Sequence, residues 1–411
     1  MELRAGYKKT EVGVIPEDWK IGNILNNSTL KARIGWQGLT TAEYLKEGNY
    51  FLVTGTDFFD GKIKWETCHY VIKERYVQDQ NIQLKYKDIL VTKDGTIGKV
   101  AFVDKITLPA TLNSGVFVVR PKNNSYNPQF LYFVLKSFYF DIFLNELVAG
   151  STILHLYQKD FVKFKFPIPT IKEQTAIANA LSDADALISS LEKLIVKKRN
   201  IKQGAMQKLL QPKEGWEVMK LGEVAEVKSG KRLPLGRQLT ERITSHPYIR
   251  ILDMFNNGIN LTDIKYVPED VFPYIKNYRI FLEDIYISVA GTLGLVGRIP
   301  EILNGANLTE NANKITNIKC NINFLLFVLR SDFIQNTIDA ERTLGAQPKL
   351  ALIRIRNFEI PFPPKEEQTR IATILSDMDS EIQALETKLE KYKNIKLGMM
   401  QELLTGKIRL I

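Results

Sequence analysis

The sequence predicts an α+β protein in which two mixed α/β domains are separated by two long, antiparallel, coiled-coil-like helices, a tandem duplication with pseudo-two-fold symmetry. Three observations predict it. A segment of about 40 residues occurs twice, with "EQTAIANALSD" from Glu173 answered by "EQTRIATILSD" from Glu367 at an offset of 194 residues. Apolar residues in both copies recur every 3.5 positions. The stretch before each copy carries the same strand, Gly-Thr-x-Gly turn and strand.

The helices come first because their match is strongest. The copies align without a gap from Ile171/Lys365 to Leu210/Leu404, and about half of the aligned positions are identical. Such a period is far longer than the roughly 20–50 residues of a solenoid unit and marks a duplicated domain with its own helix. In the first copy Ile177, Leu181, Ala184, Ile188, Leu191, Ile195, Ala205 and Leu209 form the seam. Ile371, Leu375, Met378, Ile382, Leu385, Leu389, Tyr392, Met399 and Leu403 form it in the second. Lys202 and Lys396 interrupt both seams at equivalent places, as a register-fixing polar residue does, and Lys198 interrupts only the first. Thr170 and Glu173 predict a capping box at the first entrance, and Pro363-Pro364 prevents the second helix from starting earlier. Pro212 and Gly406 mark the exits. About 40 residues make a rod of roughly 60 Å.

The preceding domains echo each other more faintly. "KDILVTKDGTIGKVAFV" (Lys87–Val103) parallels "EDIYISVAGTLGLVGRI" (Glu283–Ile299), and Trp19 in "PEDWKIGNI" parallels Trp216 in "KEGWEVMKLGEV". The partition is 1–165, a first domain; 166–212, a first helix; 213–358, a second domain; and 359–411, a second helix.

Composition bounds the function. With 45% hydrophobic and 25% charged residues the chain is globular. No apolar run approaches the roughly 18 residues of a membrane span, and the N-terminus has no signal-like apolar core, so a cytoplasmic location is expected. Cys68 and Cys320 with His69, His155 and His246 give neither a disulfide framework nor metal-ligand spacing. The net charge of +10 is compatible with a nucleic-acid partner, an anionic surface or plain solubility.

Three pairs of loops carry candidate contacts. The Gly-Thr-x-Gly turns, with Lys93, Thr96 and Lys99 in one and Thr292 in the other, read either as phosphate-binding loops or as plain hairpin turns. "LKARIGWQGLTTAEYL" offers Lys31, Arg33, Trp36 and Gln37, and "VKSGKRLPLGRQLTERI" offers Lys228, Lys231, Arg232, Arg237 and Arg242. Arg and Gln can pair with guanine and adenine edges while Lys mostly neutralises phosphate, although basic loops are also often merely solvated. Before each helix stand "GSTILHLYQKD" and "GAQPKLALIRIR", the latter with Gln347, Lys349 and Arg354. No catalytic constellation appears. Gly230-Lys231 is not a nucleotide-binding loop, "NPQF" at Asn127 is not a methyltransferase motif, and no Gly-x-Gly-x-x-Gly follows a strand.

Taken together, the P-x-P-x-x-x-E-Q helix entrances, the paired Gly-Thr-x-Gly hairpins, the "GVIPEDW" start and the tandem layout resemble the specificity subunit of type I restriction–modification systems. The resemblance spans essentially the whole chain, with one difference: "GSTILHL" lacks the Gln of "GAQPKL". It implies two target-recognition domains joined by spacer helices and a non-catalytic subunit reading an asymmetric, two-part DNA target with a fixed spacer. It also implies two methyltransferase subunits that use S-adenosylmethionine and two restriction subunits that use ATP and Mg, with no cofactor on this chain. The alternative is a two-headed DNA-binding or protein-interaction scaffold without such partners.

Overall fold

In the computed structural model, which describes residues 5–149, 155–342 and 349–411, the chain begins with a hairpin of β1 (Tyr7–Thr10) and β2 (Gly13–Pro16). The first compact unit comprises Met1–Leu191 with Lys388–Ile411, and the second Glu192–Thr387. Both boundaries fall inside the long helices, because the two halves of each helix pack on different cores.

In the first unit, β3 (Lys20–Asn23) is followed by β4 (Ser28–Ala32), β5 (Ile89–Thr92), β6 (Val100–Phe102) and β7 (Val116–Pro121). The last four form one sheet in the order β4-β7-β5-β6, extended by the short strands Lys62–Ile63 and Phe58–Phe59. The sheet is buried on both faces. Leu90 and Val118 point into a small core with Phe51 and Trp65, whereas Ile89, Val91 and Val119 point to the main core. That alternation is the period-two geometry of a strand. The main core is aromatic, with Trp19, Phe130, Phe133, Phe140, Phe161, Phe164 and Phe166. It receives α1 (Pro128–Leu135), α2 (Phe138–Ala149), β8 (Lys165–Ile168), and the N-terminal part of α3 (Ile171–Leu209) through Ile177, Ala178 and Leu181.

The second unit repeats this plan with β9 (Glu217–Lys220), β10 (Glu226–Ser229), β11 (Ile285–Ser288), β12 (Val296–Gly297) and β13 (Ala312–Thr316). The sheet order β10-β13-β11-β12 matches that of the first unit. It continues through α4 (Ile322–Leu329), α5 (Asp332–Arg342), α6 (Leu352–Arg356), β14 (Glu359–Phe362) and α7 (Lys365–Leu403). Every residue of "FLLFVL" (Phe324–Leu329) is buried there.

The repeated Glu-Gln pair at the helix entrances now has a physical reason. Gln174 donates through Nε2 to the Pro169 carbonyl (2.9 Å) and accepts at Oε1 from the Asn127 amide (2.8 Å). Gln368 does the same with Pro363 and Asn321, both at 2.9 Å. Asn127 and Asn321 in turn cap α1 and α4 through their side-chain oxygens. One buried amide thus joins each long helix to the helix beneath it. The capping box expected at Thr170 is only half present. The Glu173 amide donates to Thr170 Oγ1 (3.3 Å), but the fully buried Glu173 carboxylate accepts from Trp19 Nε1 (3.0 Å) and from Arg409 (2.6 and 2.9 Å).

Within each unit the two helical segments run antiparallel. In the first, Glu173 meets Arg409 and Asp185 meets Lys396; in the second, Lys213 meets Glu367 and Lys202 meets Asp379. Ile177, Leu181, Ile188, Leu191, Ile195, Ile371, Leu375, Ile382 and Leu403 are buried; Leu209, Met378, Leu385, Leu389 and Tyr392 are half-buried. Past the lysines the buried face moves on by one residue, to Met206 and Leu210 and to Met400 and Leu404. A straight helix drifts by about 20° per heptad from a strict seven-residue repeat, and here it packs on the domain cores.

Candidate nucleic-acid interface

Some of the polar candidates gather at one edge of each main sheet, where a strand end, a tight turn and the segment before the long helix meet. In the first unit β5 ends at Thr92, whose hydroxyl donates to the Thr96 carbonyl (2.6 Å) and accepts from the Lys99 amide (2.9 Å). Ser288 does the same in the second unit, with the Thr292 carbonyl (2.6 Å) and the Leu295 amide (2.8 Å). These hydroxyls hold the Gly-Thr-x-Gly turns closed. Gly95, Gly98, Gly291 and Gly294 all take positive φ, where a side chain is disfavoured. A Cβ on Gly98 would also strike Leu144. Because the Gly98 and Lys99 amides bond within the turn, they are not anion donors. What the turn presents outward is the exposed side chains of Thr96 and Lys99, with Thr292 exposed likewise.

The same backbone bond ties the pre-helix segment to the turn in both units. Leu156 N donates to the Lys93 carbonyl and Leu350 N to the Val289 carbonyl, each at 2.9 Å. A third loop joins them, through Lys93 N to Gly115 O (2.9 Å) and Val289 N to Asn311 O (2.7 Å). Different side chains are mounted on this shared frame. In the first unit His155 meets the Asp94 carboxylate through Nδ1 and packs on the exposed Tyr157, while Lys93 lies against Asp94 and over the Phe117 ring. In the second unit the equivalent places are held by Ala290 and the exposed Lys349.

The second basic loop reaches this edge of its unit. Gly230 N donates to Ala312 O (3.0 Å), and Lys231 N to Leu308 O (2.8 Å). A Cβ on Gly230 would lie 2.0 Å from the Thr309 carbonyl oxygen, so only glycine permits this approach. Lys231 lies over the Tyr278 ring, and Arg232 pairs with Glu310 at 3.3 Å while its side chain stays largely exposed. Burial pushes the Tyr248 hydroxyl, which donates to Lys231 O, up to about 12, so it stays protonated at neutral pH.

Other candidates lie elsewhere. Arg33 is 2% exposed, and its guanidinium donates to Leu112 O (2.8 Å), Thr111 Oγ1 (3.2 Å) and Gln78 Oε1 (3.3 Å). It is an internal strut, which removes it from the outward face, because a cation this deep needs its partners inside the protein. Gln37 is also buried, with Oε1 unpaired among the described residues. Lys31 is exposed on β4, and Trp36 belongs to the short turn Gly35–Gln37. Lys228 pairs with Glu226 (2.7 Å) and Arg237 with Asp270. Arg354, on α6, lines a cleft with Phe333, Thr337 and Asn357. Gln347 lies outside the described residues. Thr92 and Ser288 were missed, although a hydroxyl four residues before the turn threonine in both copies was the available signal.

Among the described residues there is no group of three or more His, Cys, Asp or Glu side chains placed to hold a metal. No helix there is long and apolar enough to cross a membrane.

Comparison with known proteins agrees with this architecture. The family described as type I restriction modification DNA specificity domain matches twice, at residues 19–199 and 213–394. Among curated proteins the chain is similar to two from Methanocaldococcus jannaschii. The type I restriction enzyme MjaVIII specificity subunit is 26% identical, over 96% of this chain and 94% of the relative. The putative type I restriction enzyme MjaX specificity subunit is 28% identical, over 98% and 96%. The crystal structure of the S subunit of a type I restriction–modification system from M. genitalium shares the fold, with a TM-score of 0.58, 19% identity and 98% coverage of both chains.

Proposed function

The chain belongs to the family of type I restriction–modification DNA-specificity subunits, and from that premise we propose that its two units read the two unlike halves of an asymmetric DNA target. One observation carries this reading. Each unit closes its turn and pre-helix segment with the same backbone bond, yet mounts Lys93, Thr96, Lys99 and His155 in one case and Thr292, Lys349, Lys231 and Arg232 in the other. A common frame with different side chains is what two related heads for different base sequences require. Lysines near the edge supply phosphate contacts, and polar side chains at the turns supply base contacts.

The chain supplies recognition, and chemistry comes from the subunits it assembles with. We assign two methyltransferase subunits, carrying S-adenosylmethionine, and two ATP- and Mg-dependent restriction subunits to the complete complex. The two helices of 39 residues act as spacer rods between the half-sites. At 1.5 Å per residue such a rod is roughly 60 Å, an outer bound of about 18 base pairs.

The test is exchange of residues 1–165 for the equivalent domain of another specificity subunit, followed by methylome sequencing. One half-site should change while the other and the spacer persist. Change in both halves, or in neither, would overturn the two-head reading.

A further inference from the structure

In the first unit the β1–β2 hairpin covers a surface that the second unit leaves open. The Tyr7 hydroxyl donates to the Gly406 carbonyl (2.8 Å), Pro16 packs so closely on Gly406 that a Cβ there would strike it, and Glu11 pairs with Lys165 (2.5 Å). Val12 packs on the main core, to which the buried Tyr139 belongs. At the 194-residue offset these covered positions correspond to Pro212, Glu359 and Phe333 of the second unit. No hairpin precedes Trp216, because α3 ends at Leu209 and the chain turns directly through Gln211–Gly215 into β9.

The three counterparts line a cavity of about 410 Å³ in the second unit, floored by Met206, Leu210 and Val328. Val218 and Phe333 stand at it 57% and 60% exposed. Apolar side chains left this open beside a buried core are the usual mark of a docking surface. Charge indicates what fits. Where the hairpin brings Glu11 to Lys165, the second unit offers the exposed Glu359, so the occupant carries the opposite sign.

We propose that this cavity docks an extended segment of a partner polypeptide, with an apolar side chain seated between Met206, Leu210 and Phe333 and a Lys or Arg against Glu359. That the partner is a subunit of the restriction–modification assembly rests on the function proposed above. A second copy of this hairpin is disfavoured, since it would set Glu11 against Glu359.

The test uses the full chain with Phe333 replaced by the photo-crosslinker p-benzoylphenylalanine, a change at an exposed side chain. It is reconstituted with purified methyltransferase and restriction subunits on target DNA. The expected adduct joins residue 333 to a segment of a partner subunit containing an apolar residue and a Lys or Arg. Glu359→Lys in the same background should reduce its yield about fivefold. The crosslinker at Tyr139, the counterpart buried in the main core of the first unit, should give no partner adduct. Adducts only within this chain or to a second copy, or a yield indifferent to Glu359→Lys, would overturn the proposal. Methylation in the same samples separates the two readings. Failure of the family function abolishes methylation, whereas failure of docking leaves methylation intact without the adduct.

Discussion

The ammonium of Lys202 is held by the carboxylate of Asp379, and at the equivalent places of the duplication Lys396 is held by Asp185. Each pair takes its lysine from one helix and its aspartate from the other. Shifting either helix by one residue breaks both pairs, so a polar seam residue that weakens packing fixes register. Asp379 also lies 3.8 Å from Arg330, whose equivalent in the first unit is Lys136. Two cations therefore depend on one carboxylate.

Removing that carboxylate leaves Lys202, 8% exposed, without its partner. Asp379→Asn should cost about 2–4 kcal/mol, whereas Lys202→Met with Asp379→Leu, which leaves only Arg330 without that carboxylate, should cost clearly less. Urea unfolding of the two variants checks this. A double variant as unstable as Asp379→Asn would show that packing, rather than the orphaned charge, sets the cost.

Burial pushes the Lys202 ammonium below its ordinary value of 10.5, against the raising effect of Asp379. A lysine with a lowered folded-state value binds its proton less well when folded. Its contribution to stability therefore grows as pH rises from that lowered value to 10.5. Glu367 has the opposite linkage. Arg370, and then Lys213, hold its carboxyl at about 2, so its contribution is complete above 4.5 and fades as pH falls from 4.5 to 2. Stability against pH should lose the alkaline rise in Lys202→Met and part of the acid decline in Glu367→Gln.

Arg33 shows where sequence stopped being legible. The duplication, the antiparallel helices and the shared turns could all be read, because each leaves a periodic or repeated signal. Which arginine faces outward leaves none. Arg33 and Arg232 both sit in basic, glycine-containing loops, and only the fold sends one into the core and the other to the rim. The same holds for Glu173, whose spacing from Thr170 fits a capping box while its carboxylate is consumed by Trp19 and Arg409. Arg33→Lys should lower stability by about 2 kcal/mol through the lost guanidinium fork, a fall of roughly 4–8 °C in Tm. The salt dependence of DNA binding should be unchanged. Calorimetry and anisotropy titrations decide between a strut and a contact.

The Glu173–Arg409 pair closes the first unit with the last residues of the chain. Asp18 and Glu173 both accept from Arg409, and these bonds raise the guanidinium well above its usual range. Arg409→Met strands a fully buried carboxylate and should cost about 3–5 kcal/mol. Glu367→Gln, at a 24% exposed side chain, should cost under about 1 kcal/mol at neutral pH. Equal effects in denaturant titrations would mean that the first-unit network is no more structural than its half-buried counterpart.

At the edge of the second unit proposed to meet DNA, each lysine or arginine that neutralises a phosphate adds close to one to the slope of log affinity against log salt. Lys231→Ala and Arg232→Ala should each flatten that slope by about one and weaken binding to all duplexes alike. Gly230→Ala acts differently. Its methyl group would meet the Thr309 carbonyl, so the loop must leave the sheet edge and selectivity for one half-site should fall while the other is retained. Anisotropy titrations on duplexes altered in either half-site, at several salt concentrations, separate the two effects. A salt slope unmoved by both charge removals would place the phosphate contacts on another face of the unit.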